Sequence, residues 1–178
     1  MAVLKKGNFS INLDIFKIGG VLSDDDRQCA WELYTEIVTR LAVHGRSVSE
    51  GSIKEQFKGE LYTESLDSLY SFFQEMRGIM RKFPVGKIGF SDKYHLGKFI
   101  CSIINDILRP FLERWQGDFR YWFDVASRNR PDDSPFIIQD DYPEIDAFLE
   151  NWASLRSIMQ SVAQTLAKEY QLVHSVRV

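Results

Sequence analysis

Cysteine and histidine are scarce in this sequence, with two of the first and three of the second among 178 residues. The two thiols, Cys29 and Cys101, fall inside helical patterns on or near apolar faces, where a free thiol acts as a small hydrophobe, so a reducing, cytoplasmic setting is expected. His44, His95 and His174 stand far apart, and none belongs to a His-Glu-x-x-His or Cys-x-x-Cys unit. No zinc site therefore has local support, and neither a metal nor a cofactor is expected. A basic excess is also missing: 22 Lys and Arg face 25 Asp and Glu, for a net charge of -3. That balance disfavours nonspecific nucleic-acid binding across the whole surface and leaves only a local patch open. Nor is there a long uncharged apolar run. The most apolar stretch, Leu96 to Leu112, carries Lys98, Asp106 and Arg109, each costing about 2.5–3.5 kcal/mol at the centre of a bilayer. It is expected to be a core helix, with no membrane span. After Lys5 and Lys6 the chain alternates apolar and polar residues in place of an apolar signal-peptide centre, so no export is expected. No internal repeat and no low-complexity tract is visible.

What is present is a 44% hydrophobic chain, enough for one well-formed core, so residues 1–178 are expected to form a single domain. Within an N-terminal segment, 1–22, Phe9, Ile11, Leu13 and Ile15 alternate with Ser10, Asn12 and Asp14, the period-two pattern of a strand buried on one face. Ser23 and the acidic run Asp24 to Asp26 mark a helix start, since carboxylates favour the positive end of the helix dipole. Ala30, Leu33, Tyr34, Ile37, Val38 and Leu41 follow at helical spacing, and Gly45 sits where a left-handed cap is wanted. Arg46 to Glu60 reads as a polar surface connection with one helical turn. A second helix, Tyr62 to Lys82, has the stripe Leu66, Leu69, Tyr70, Phe73, Met76 and Met80. A third opens at Ser91 and Asp92 and carries a wide stripe from Leu96 to Trp115, with Pro110 predicting a kink or restart near Asp106 to Arg109. Phe119, Trp122, Phe123 and Ala126 continue it. Residues 128–143 read as a long acidic loop with an extended segment at Phe136 to Ile138. Pro143 then opens a last helix running to about Leu172. The fold expected is mainly α: an up-and-down bundle of about four main helices with an N-terminal β-strand appended.

A lone strand must satisfy its backbone groups. Phe9, Ile11, Leu13 and Ile15 are thus expected either to pair internally, with the tail or with Phe136 to Gln139, or to add to a strand of a second copy or another subunit. The aromatic segment Trp115 to Phe123, interleaved with arginines, offers Arg114, Arg120 and Trp122 as further partner-binding candidates, because aromatics and Arg dominate interface hot spots. Other constellations are weaker. Asp92, His95 and Cys101 allow a nucleophile pair, but a satisfied histidine and a core cysteine account for them more simply. Asp132, Asp133, Asp140 and Asp141 offer oxygen ligands, yet lack the spacing of a calcium loop, and turn-forming aspartates in a solvated loop explain them. Gly86-Lys87-Ile88-Gly89 is too short to cradle a phosphate.

Two partial resemblances accompany these patterns. Leu108-Arg109-Pro110-Phe111-Leu112 followed by Trp115 resembles a segment of uncharacterised bacterial helical proteins, with Gln116 where that pattern has a histidine. It implies no activity. Arg40 and His44 resemble the arginine and histidine of bacterial toxin-type helical ribonucleases (the HEPN class), one polarising a phosphate and the other moving a proton. Leu41 stands where that class has a polar residue. The expected function is a non-catalytic interaction or accessory subunit of a bacterial multi-protein system, bound to a protein partner or a second copy, with no small-molecule ligand evident. A ribonuclease using Arg40 and His44 is the alternative.

Overall fold

In the computed structural model the described residues are 3–6, 9–12, 24–46, 51–82 and 96–172. Helix α8, Ile145–Glu169, is the centre about which the others are arranged. Its apolar residues recur at three- and four-residue spacing from Ile145 to Leu166 and are buried along the whole length. A stripe that wide needs cover on several sides. α1 (Asp24–Thr39), α2 (Leu41–His44), α3 (Ile53–Gln56) and α6 (Arg109–Asn129) pack against it, and α4 (Tyr62–Lys82) lies against α1, α2 and α6. The buried apolar side chains from Cys29 to Tyr170, Ile138 excepted, join in one cluster. The chain is mainly helical, as expected.

Local chemistry sets the breaks. α1 starts on Asp24, Asp25 and Asp26. It stops at Thr39 because Arg40 is extended (φ -103, ψ 113), and the chain restarts as α2. Leu41, expected on the buried stripe, is consequently turned outward, and Ala42 and Val43 are buried in its place. Gly45 has φ 77 and ψ -171, a conformation essentially restricted to glycine. Pro110 acts as its covalent structure requires. The preceding turn opens into a π-helical segment, Ile103–Leu108, between α5 (Leu96–Ser102) and α6. A widened turn relieves the ring's clash with the carbonyl four residues back and absorbs the missing donor.

Three expectations are corrected. In α4 the buried set is Tyr62, Leu66, Leu69, Phe72, Met76 and Ile79, while Tyr70 is 44% exposed. The stripe is rotated by part of a turn, and Tyr70 stacks on Phe73 outside it. Residues 135–140 form helix α7 (Pro135–Asp140), not an extended segment. Ser134 accepts the Phe136 N–H as N-cap, and Pro135 occupies the first turn, where it needs no donor. The backbone partner of β2 (Phe9–Asn12) is therefore not Phe136–Gln139. It is β1 (Val3–Lys6), antiparallel, with Leu4 paired to Ile11. Leu13 and Ile15, the tail after Leu172, and the Ser91–Asp92 helix start lie outside the described residues.

Candidate functional site

The last carbonyls of a helix have no partner within it, and α2 finds its partners on α8. Trp152 Nε1 donates to the Ala42 carbonyl at 2.8 Å, Arg156 Nε reaches the same oxygen at 3.4 Å, and Gln160 Nε2 donates to the His44 carbonyl at 2.7 Å. Arg156 Nη2 also donates to Glu60 Oε2 at 2.5 Å, and Ser65 Oγ donates to that oxygen at 3.2 Å. Gln139 of α7 clamps the backbone here, accepting from Tyr62 N at 2.9 Å and donating to the Glu60 carbonyl at 2.8 Å. The Arg156 and Glu60 side chains are 5% and 2% exposed. The guanidinium carbon lies 4.2 Å from the Phe57 ring centroid and 5.5 Å from that of Trp152. Burial lowers the Arg156 pKa and the Glu60 carboxylate opposes it. A guanidinium does not deprotonate in proteins, so Arg156 keeps its charge.

A cleft of about 800 Å³ runs along α8 from Ala147 to Gln160. His44, Gly45, Arg46 and Arg156 line one end, and Arg114 with Ala147 and Glu150 belongs to the stretch nearer the start of α8. Gly45 passes so close to Arg156 that a Cβ there would come within 2.8 Å of its Cδ. Three buried polar atoms at this joint have no hydrogen-bond partner among the described residues: Arg156 Nη1, His44 Nε2 and Glu60 Oε1. Burial holds the His44 pKa below its ordinary value; its hydrogen bond to the Gly45 backbone pulls the other way, and the Arg156 charge adds to the lowering.

Arg40 and His44 are one turn apart, the His44 N–H donating to the Arg40 carbonyl at 2.9 Å, but their side chains have different partners. Arg40 is bound to the Glu36 carboxylate at 2.8 Å through Nε and at 2.7 Å through Nη2, and to the Ser68 carbonyl at 3.4 Å, whereas His44 lines the cleft. Among the partner-binding candidates, Arg120 is tied to Asp67 and to the Thr63 carbonyl on α4, and Trp122 is half-buried against Tyr142. Arg114 is exposed, pairing with Glu144 at 3.1 Å and lying over Trp115. It begins a stripe on the outer face of α6 that continues through Gly117, Tyr121 and Val125, positions within about a third of the helix circumference. Tyr121 is 74% exposed and Val125 40%. A Cβ added at Gly117 would meet nothing within 4 Å.

The remaining candidates are accounted for structurally. Cys29 is buried, and burial first, with Glu32 and Asp26 nearby, pushes its thiol up to about 12, far from the thiolate that reacts. Cys101 is half-buried. In the 128–143 segment, Arg130 pairs with Asp133 at 2.6 Å and Asp141 at 2.7 Å. Among the described residues no group of three or more His, Cys, Asp or Glu side chains is placed to hold a metal ion. No helix among them is long and apolar enough to cross a membrane. The buried Glu60–Arg156 pair was missed by the sequence reading. Its one signal is that Arg156 follows Trp152 by four residues on the apolar stripe of α8.

Compared with protein-family models, curated proteins and solved structures, the chain matches none.

Proposed function

We propose that this chain is a non-catalytic protein–protein interaction subunit, an accessory component of a multi-protein, bacterial and cytoplasmic system, and that the outer face of α6 receives a helix of a partner protein. The observation that carries this reading is Gly117. A glycine in mid-helix costs roughly 0.5–1 kcal/mol relative to alanine, and no side chain among the described residues uses the space beside it. A bare helix surface lets a second backbone approach closely, and it lies between Arg114 and Tyr121, residue types enriched in interface hot spots. The N-terminal strand is a second contact region in this reading. The β1–β2 hairpin already packs against α8 and the Ile103–Leu108 segment, so in this reading a partner strand adds to its edge.

Native mass spectrometry of the protein purified from its own host tests the proposal. A defined complex that is lost in Tyr121→Ala and Gly117→Leu, both still folded by circular dichroism, is expected. A complex unchanged in both variants, or a bare monomer throughout, contradicts it. Ile11→Asp separates the strand from the helix face. One observation favours the rival ribonuclease: the His44 imidazole lines a cleft with Nε2 unpartnered. RNA cleavage abolished in His44→Ala would establish that reading, and full cleavage in the variant would remove it.

A further inference from the structure

We propose that the end of the α8 cleft formed by His44, Arg46 and Arg156 binds a small oxyanion, the carboxylate or phosphate group of a small molecule. Of the α6 face assigned to the protein partner, only Arg114 lines this cleft, at the stretch nearer the start of α8. Its floor is a guanidinium already fixed in position: Glu60 holds Nη2, the Ala42 carbonyl holds Nε, and the rings of Phe57 and Trp152 cover it. Nη1 is buried without an acceptor among the described residues, and Arg156 lines the cleft beside Gly45. Guanidinium donors sit in a rigid fork matched to carboxylate and phosphate oxygens, and a donor held by packing loses little freedom on binding.

The charges around the site point the same way. Arg46 is close enough to Arg156 to disfavour its charge, and Glu60, the carboxylate that answers Arg156, is not among the described residues that line the cleft. Glu150 is the sole acidic side chain among the lining residues, six residues and about 9 Å back along α8, toward the Arg114 end. An oxyanion at the His44 end would relieve the repulsion between the two guanidiniums. His44 Nε2, which has no partner among the described residues, becomes an added donor if the imidazole takes up a proton as the anion arrives. The Ser157 side chain also lines this end of the cleft. A volume of about 800 Å³ is within the range of small-ligand sites.

The test uses the intact chain, with inorganic phosphate and acetate as separate probes and sodium chloride as the ionic-strength control. NMR follows the Arg156 Nε–H and the His44 ring. Saturable shifts at both residues are expected, with an apparent Kd of about 1 mM or tighter. Arg46→Gln, an exposed change outside the core, should weaken binding by about tenfold or more, the loss of one charge-assisted contact. Saturation by phosphate alone identifies a phosphoryl ligand, and saturation by acetate alone identifies a carboxylate. No saturable shift with either probe, shifts that chloride reproduces, or equal binding in Arg46→Gln would overturn the proposal.

Discussion

Phe148 and Arg156 lie about two turns apart on α8 and are almost equally buried, at 0% and 4% exposure, yet opposite physics holds their surroundings together. Phe148 sits among Tyr62, Phe111, Trp115, Phe119, Tyr142 and Trp152, with ring centroids 5.1 to 6.2 Å away. Its stabilisation is spread over many weak contacts plus removal of apolar area from water. Arg156 depends on a few directional bonds that must all be present, because a buried charge without its partner is severely penalised. The aromatic region should therefore lose stability in proportion to the volume removed. The ionic region should fail when either partner is removed and tolerate the loss of both.

Substitutions break the comparison in order of size. Arg156→Met, which leaves Glu60 buried and unpaired, is expected to cost about 3–5 kcal/mol in urea unfolding. Adding Glu60→Leu should recover most of that, since an apolar pair of similar volume is often neutral or stabilising. Phe148→Ala should cost a comparable amount, about 3–5 kcal/mol, through the cavity it leaves. Gly45→Ala comes next, at about 1–3 kcal/mol, because its backbone conformation is strained for any other residue and its new methyl meets the Arg156 side chain. The smallest effect is that of pH. The folded His44 binds its proton less readily than the unfolded one, whose pKa is about 6.5. Over that interval the unfolded state holds more protons, so stability is full above about pH 6.5 and falls as pH drops through it. A His44→Asn variant should show a flatter profile by thermal melting, whereas the Phe148→Ala profile should keep the wild-type shape.

The same contrast explains what could be read from the chain. Helix boundaries announced themselves through local chemistry: Asp24 to Asp26, Gly45 and Pro110 each act within a turn of their own position. The α8 stripe was legible because apolar burial repeats with the helix period. Tyr70 and Phe72 were exchanged because a stripe can be drawn a fraction of a turn off when aromatics occupy both positions. Phe136 to Ile138 read as extended because the apolar island outweighs Ser134-Pro135, the capping signal that prevails in the structure. The ionic cluster was hidden for a different reason. Glu60 and Arg156 are 96 residues apart, and Glu60 closes a segment polar enough to read as surface. Buried pairing of charge is a property of the assembled fold, which no local pattern encodes.

A double-mutant cycle on Glu60→Leu and Arg156→Met, measured by urea denaturation at pH 7.5, tests the central claim most directly: that this buried pair is the joint between α2, α4 and α8. The prediction is two severe single losses and a double variant near wild type, giving a coupling energy of at least about 3 kcal/mol. Additivity within about 0.5 kcal/mol, the behaviour of independent sites, would contradict it.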